Sequence, residues 1–399
     1  MTTLSRASDF PELTRADWLK RVDAALKGAH FEDRLITTTP DGIRLEPLYG
    51  QVHGPRAARP EQTPWTLSQR VDHPDPAKAN ALALEDLSNG ATGLVIVARN
   101  ARSSRGFGVD PAALSRILQG VHLHAVALRI EGDGSRQLAD IIAGQPIDPE
   151  RLHVSFDLDD PVLITELVRR GFSGPFMEAD GRSWHERGAT EAQELGAALA
   201  DAIAKLRHLE GLNDVHLVKA VGVTLAATQD MFMTLAKFRA MRLMWKRVLQ
   251  IAGLPDAPLR LHAETSWRMT AELDPHTNIL RSTAAVFGAG LGGASSISVL
   301  PHSIRQGLPN GFARRVSRNV QNILLEESNL WRVADSASGS GYVESLTSSL
   351  SEKAWAIFQN AEAGKWPSPA PEAQIARPVI GTTNYRLAEE HAADVESLS

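Results

Sequence analysis

The sequence predicts an α/β protein whose main body is a closed (β/α)8 TIM barrel, preceded by an extended N-terminal arm and followed by a short C-terminal linker. Two observations carry that prediction. Apolar β-type runs recur at Trp65–Val71, Gly93–Ala98, His124–Ile130, Leu152–Leu158, Gly174–Ala179, Val215–Leu225, Leu259–Thr265 and Ser295–Leu300, with helical patterns between them. Strands that alternate with helices make a parallel sheet, and eight such units fit a closed barrel better than an open doubly wound sheet. Asp-Pro also opens several of the intervening helices, at Asp75-Pro76, Asp110-Pro111, Asp160-Pro161 and Asp274-Pro275. Aspartate at an N-cap accepts hydrogen bonds from free backbone N–H groups, and proline at the first helical position loses no bond.

The elements follow in order. In the arm, residues 1–64, Leu13–Leu26 reads as a helix capped by Thr14, with Trp18, Val22, Ala25 and Leu26 on one face. Pro40-Asp41-Gly42 between two β-favouring runs reads as a turn. Residues 51–64, rich in proline and without an apolar run, read as a linker. The barrel takes residues 65–345, and Thr190-Glu-Ala-Gln193 is a capping box that opens a long helix to about Leu209. Residues 346–399 hold an amphipathic helix, Leu346–Ala363, and a segment with Pro367, Pro369 and Pro371.

Composition narrows the function classes. The 399 residues hold 42 Lys+Arg against 47 Asp+Glu, a net charge of −5, which argues against a general nucleic-acid or anionic-membrane binder. There is no cysteine, so disulfides, thiolate nucleophiles and cysteine metal sites are excluded. No apolar run is long enough to span a membrane, and Met1–Asp9 has no signal-peptide core, so a cytoplasmic location is expected.

Gly288-Ala-Gly-Leu-Gly-Gly293 matches G-x-G-x-x-G, but it ends a helix and precedes a strand. Pyrophosphate binding needs the reverse order, so a helix end and tight turn explain it better. Asp214-Val-His216 is similar to the Asp-x-His-x-x-Gly loop that supplies the lower ligand to cobalamin, but Lys219 holds the glycine position. It reads as a loop aspartate and a histidine at the edge of the sixth strand. His262 and Glu264, at i and i+2 on the seventh strand, point to one face. If that face is the interior, they approach the C-terminal mouth where barrel enzymes do chemistry. A hydrogen-bonded pair in a polar core fits equally well. His185 follows strand five and His302 follows strand eight, both in mouth loops. None of these histidines shares a metal-ligand spacing, and no metal is expected.

Several stretches together resemble the methylmalonyl-CoA mutase family. They include Asp41-Gly-Ile-Arg-Leu-Glu-Pro-Leu-Tyr49, Asp180-Gly-Arg-Ser-Trp-His-Glu-Arg-Gly-Ala-Thr-Glu-Ala-Gln-Glu-Leu195, Leu291-Gly-Gly-Ala-Ser-Ser-Ile-Ser-Val-Leu-Pro301, Phe312-Ala-Arg-Arg-Val-Ser-Arg-Asn319 and Arg377-Pro-Val-Ile-Gly-Thr-Thr-Asn-Tyr385. The family has catalytic chains, with an acyl-CoA-binding barrel and a cobalamin domain, and small non-catalytic chains that dimerise with them. This sequence resembles the small kind. The catalytic pattern His-Ser-Gln-Thr-Ser-Gly reads His262-Ala-Glu-Thr-Ser-Trp267, so a glutamine amide has become the carboxylate of Glu264. The pattern Thr-Gln-Ser-Leu-His-Thr-Asn-Ser-Phe-Asp-Glu reads Ala294-Ser-Ser-Ile-Ser-Val-Leu-Pro-His-Ser-Ile304, without its glutamine, histidine, asparagine and glutamate. Trp184-His185 is what remains of an aromatic–histidine pair.

The resemblance implies the small subunit of a heterodimeric, adenosylcobalamin-dependent methylmalonyl-CoA mutase. No catalytic residue is expected, and His185, His262, Glu264 and His302 are degenerate mouth candidates. No cofactor is expected on this chain, and adenosylcobalamin is expected on the catalytic large subunit that would be its partner. The sequence reaches Ser399 just past the linker, so no cobalamin-binding domain is expected within it. Ser295, Ser298, Leu300 and Ile304 at former polar site positions predict an interior filled by larger or apolar side chains. Residues 1–60 and 310–345 are expected to meet the partner. Two alternatives stay open: a catalytic barrel whose cobalamin domain is on another chain, and a homo-oligomeric barrel enzyme using His262, Glu264 and His185.

Overall fold

Eight short strands rich in aliphatic residues pair in parallel because each is followed by a helix that carries the chain back along the outside of the sheet. They are β1 (Thr66–Val71), β2 (Gly93–Val97), β3 (Ala127–Glu131), β4 (Val154–Ser155), β5 (Met177–Asp180), β6 (Val221–Ala227), β7 (Leu261–Thr265) and β8 (Ser296–Ser298). The computed structural model describes residues 13–57, 59, 63–369 and 378–396; Met1–Asp9, Pro371 and Arg377, read above, lie outside the described residues. The ladders run β4-β3-β2-β1-β8-β7-β6-β5. Phe156 N–H donates to Pro175 O (2.8 Å) and Leu158 N–H to Phe176 O (3.0 Å), which joins the β4 and β5 ends and closes the ring. The predicted (β/α)8 barrel is therefore the observed fold.

The helices are α1 (Pro76–Ser88), α2 (Leu114–Ile117), α3 (Ser135–Ala143), α4 (Pro161–Arg169), α5 (Glu191–His208), α6 (Met231–Ala252), α7 (Thr277–Leu291), α8 (Gly311–Asn322) and α9 (Gly341–Glu362). Asp75, Asp110 and Asp160 cap as predicted, each accepting from backbone N–H groups one turn on, and Thr190 with Gln193 closes its capping box. Asp274 does not cap. Its φ is 47°, α7 starts only at Thr277, and its carboxylate accepts the Thr277 hydroxyl instead. The sixth strand starts later than the apolar run suggested, because Asn213 caps a one-turn helix, Asp214–Leu217, which takes His216 out of the sheet. The C-terminal helix begins at Gly341, before Leu346, and packs on α5 and α6.

The glycines at 288–293 serve packing. A Cβ on Gly288 would lie 2.6 Å from Met231 O, and one on Gly292 would lie 2.7 Å from Leu235 O, both on α6. One on Gly290 would lie 2.8 Å from the Trp65 ring. The spacing lets α7 lie directly against its neighbour and against the base of β1.

The described residues fall into two compact units that divide at Gly50. Within the first, Thr14 and Asp17 form a capping box that opens the helix Arg15–Leu26, a helix with no buried residue. Trp18 meets Phe31 edge-on at 6.3 Å. The predicted turn joins Thr37–Thr38 to Arg44–Leu45 in an antiparallel pair, with Gly42 at φ 68°. Among the described residues, no helix is long and apolar enough to cross a membrane.

Candidate functional site

Side chains alternate along a strand, so the parallel register decides which residues face the barrel axis. Arg70 (β1), Arg129 and Glu131 (β3), Glu178 and Asp180 (β5), Thr224 (β6), and His262 and Glu264 (β7) all point inward, and they touch one another across the axis. Arg70 donates to Glu264 (2.8 Å) and to Asp72 (3.1 Å). Arg182, from the turn after β5, lies 3.1 Å from Glu264, donates to Glu131 at 3.1 Å and grips Asp180 at 2.9 and 2.8 Å. Arg129 donates to Glu131 (2.8 Å) and Thr224 (2.9 Å) and pairs with Glu178 (3.0 Å). Arg105 reaches in from the loop after β2, 3.4 Å from Glu264 and 2.8 Å from Glu186. Four arginines and six carboxylates thus fill the upper half of the barrel.

The centre of this cluster is buried, with the Glu264 side chain 1% exposed and that of Arg70 2%, while Glu186 at its rim is 28% exposed. A buried charge without its partner would cost several kcal/mol, so each member depends on the others. Burial opposes the Glu131 carboxylate, but Arg182 and Arg129 outweigh it and hold the group well below the usual carboxylate range. Burial, reinforced by Arg129, pushes His262 well below the usual imidazole range and keeps it neutral. Its Nδ1 lies 2.7 Å from Ser296 Oγ and its Nε2 3.2 Å from Ser298 Oγ. The interior is filled at the mouth end by the large side chains of these ion pairs, and Leu300 and Ile304, which follow β8, are buried.

Trp267 follows β7 at the same end of the barrel. Its ring lies between two guanidinium groups, that of Arg305 at 4.1 Å and that of Arg105 at 4.9 Å. Arg305 also donates to Trp267 O (2.8 Å) and Thr270 Oγ1 (2.9 Å), which fixes the stack. Trp267 stands where the resembled catalytic pattern has glycine, so the ring adds bulk at that position.

His185 lies beside the cluster and not in it. Its Nε2 is 2.8 Å from Ser266 Oγ and its Nδ1 is 3.4 Å from Glu194, which also pairs with Lys237 at 2.6 Å and accepts Ala226 N–H at 2.7 Å. Serine, histidine and carboxylate in that order match the geometry of a nucleophilic triad. Burial argues otherwise: Ser266 is 2% exposed, and its hydroxyl already accepts Met269 N–H at 3.2 Å as a helix cap. Burial lowers the His185 pKa. Burial disfavours the Glu194 anion too, yet Lys237 and His185 bring its pKa down to about 2. The arrangement is a buried salt link that ties α5 to α6. His302 stands apart from both groups. It stacks on His276 (5.1 Å between centroids) and meets Phe312 edge-on (6.0 Å). No group of three or more candidate metal ligands occurs among the described residues.

Of the four candidates, the structure brings only His262 and Glu264 into one cluster. The arginines that surround them were missed. A usable signal was present: Arg70-Val-Asp72, Arg129-Ile-Glu131 and Glu178-Ala-Asp180 each place charges at i and i+2 in otherwise apolar strands. Charges that alternate with core residues on a barrel strand can face only the axis.

The family described as methylmalonyl-CoA mutase matches residues 176–395, more than half of the chain. The chain belongs to the methylmalonyl-CoA mutase family. A methylmalonyl-CoA mutase small subunit from Streptomyces virginiae is 36% identical over 90% of this chain and 65% of the relative. One from Propionibacterium freudenreichii subsp. shermanii is 31% identical over 90% of this chain and 64% of the relative. A methylmalonyl-CoA mutase from Rhizobium meliloti is 27% identical over 96% of this chain and 65% of the relative. The chain spans just under two thirds of the length of these family members.

Proposed function

We infer that this chain is the non-catalytic small subunit of a heterodimeric methylmalonyl-CoA mutase, assembled with a catalytic large chain that carries adenosylcobalamin. One observation carries most of this reading. The mouth end of the barrel is occupied by Glu264, held by Arg70, Arg182 and Arg105, with the Trp267 ring against the Arg105 guanidinium. Bound adenosylcobalamin supplies the radical that starts an acyl-CoA rearrangement, and such chemistry needs a dry open space for the substrate. Here charged side chains fill that space.

The residues of this chain do not fit the cofactor either. His216, in the segment that is similar to a cobalamin-ligand loop, lies on the one-turn helix before β6, at the end of the barrel opposite the mouth. Its Nδ1 lies 2.7 Å from Asn213 Oδ1.

In this reading residues 1–64 form an arm for the partner, 65–345 the barrel and 346–399 a C-terminal helix and linker, and the complex works in the cytoplasm. Exposed apolar side chains at Leu48 in the arm, and at Phe312, Ile323 and Val333 within 310–345, support a partner contact there. The test is direct. Given adenosylcobalamin and methylmalonyl-CoA, the isolated chain should show no turnover and no change in corrin absorbance. Saturable micromolar corrin binding would contradict this reading and favour a catalytic barrel.

A further inference from the structure

The linker before the barrel is fastened at one place. Val52, His53, Pro55 and Arg56 are exposed, yet Ala57 is only 3% exposed. Ala57 N–H donates to Asp335 Oδ2 at 2.9 Å, inside the protein. Asp335 lies in the loop before α9, in a left-handed turn (φ 51°) that Ser338 N–H closes on Asp335 O at 2.9 Å. Arg239 from α6 and Glu344 from the first turn of α9 complete the group. Arg239 is fully buried, pairs with Asp335 and donates to Glu344 Oε2 at 2.9 Å. None of these residues belongs to the ion-paired cluster at the mouth.

One guanidinium thus faces two buried carboxylates. A buried anion needs a donor at each oxygen that the cation does not satisfy. Gly339 N–H supplies one, to Glu344 Oε1 at 3.1 Å. Ala57 N–H, 278 positions away from Asp335 in the chain, supplies the other. Gly54 shows how closely this segment lies against the group. A Cβ there would come 2.7 Å from Glu344 Cδ, and closer still to Oε2. A free carboxylate could turn aside, but both oxygens of Glu344 are engaged, one by Arg239 and one by Gly339 N–H. The Gly54 backbone is not left-handed, so Glu344 alone excludes a side chain at that position.

We propose that Arg239, Asp335 and Glu344 form a socket that holds linker residues 54–57, fixes where the chain leaves the barrel, and so positions the arm for its partner. The last step rests on the subunit reading; the socket does not. Trypsin tests both. Within residues 51–64 it has one bond to cut, Arg56–Ala57, because Pro60 follows Arg59. Arg56 is exposed, but a protease needs free backbone on both sides of the bond, and Ala57 N–H is held. Limited digestion of the full chain, read by mass spectrometry, should leave this bond intact while cuts accumulate elsewhere. Gly54→Val should be cut there at least about tenfold faster, with the thermal melting of the barrel unchanged. Hydrogen exchange at the Ala57 amide should be slow in the natural chain and at least about tenfold faster in that variant. Mixed with a catalytic methylmalonyl-CoA mutase chain from the same host, G54V should bind at least about tenfold more weakly than the natural chain. Ready cutting of the natural chain at Arg56–Ala57, unchanged cutting in G54V, or full assembly by G54V with its linker freed would each overturn the proposal. A natural chain that binds no mutase chain would contradict the subunit reading and the arm's role with it, and the digestion would still decide the socket.

Discussion

Arg70 on β1 and Glu264 on β7 meet at 2.8 Å inside the barrel, although β8 separates their strands in the sheet. The contact is possible because both side chains leave their strands toward the axis. Replacing Glu264 with Gln should leave Arg70, Arg182 and Arg105 facing one another without their shared anion. Loss of one partner of a buried pair costs about 3–5 kcal/mol. Urea unfolding should show a loss of that size, and R70M/E264L should lose less than the sum of the two single changes. Additive losses would mean that the pair does not act as a unit.

The helix contact at Gly288 and Gly292 predicts a packing effect and no effect on ligands. Alanine at either position would press a methyl group against a backbone carbonyl of α6, at 2.6 and 2.7 Å respectively. Overpacking of this kind costs about 1–3 kcal/mol. Thermal melting should shift down for both variants. A dinucleotide that binds the natural chain and is lost in G288A would instead support phosphate binding at this string.

Acid should destabilise the protein in two stages. His262 and His185 are held neutral by burial, with pKa values below the ordinary imidazole value. The unfolded chain therefore takes up protons first as pH falls below about 6.5, so stability is full above that pH and declines below it. Glu131 and Glu194 are held low by their cationic neighbours. Their contribution is present above about 4.3, the usual unfolded value, and is lost as pH falls toward about 2. Glu178, pushed up by burial, works in the opposite sense. Urea midpoints measured from pH 8 to 4 should fall from about pH 6.5 downward, with a shallower slope in His262→Asn. A flat profile to pH 5 would contradict the neutral histidines.

Much of this structure was legible in the sequence, and the exceptions have physical causes. Asp75, Asp110, Asp160 and Thr190 announced their helices because capping depends on a few adjacent residues. Asp274-Pro275 has the same spelling, but the chain there turns through φ 47° at Asp274, and the helix waits for Thr277. His262 and Glu264 were legible as a shared face because strand periodicity is local. Their partners Arg70, Arg105 and Arg182 were not, because the contacts join residues from 82 to 194 positions apart and exist only once the barrel closes. Trp267 was visible as a departure from a family pattern, but its place between Arg105 and Arg305 follows from three separate loops.

The arm gives a fourth expectation. Deleting residues 1–50 should leave the barrel folded, with an unchanged far-ultraviolet spectrum and cooperative melting, and should abolish assembly with the catalytic chain. Stable heterodimers bury about 2,000 Å² or more, and Leu35, Ile36, Leu45, Leu48 and Tyr49 are apolar residues the arm can offer, whereas Ile43 is already buried. Full affinity in the truncated protein would place the interface elsewhere.

Co-purification of the full chain from its native host, with mass spectrometric identification of the bound protein, tests the central claim most directly. The account predicts one partner in equal amount, a catalytic methylmalonyl-CoA mutase chain, with adenosylcobalamin and turnover in the complex. A stable monomer or homo-oligomer that carries no mutase-like chain would contradict it.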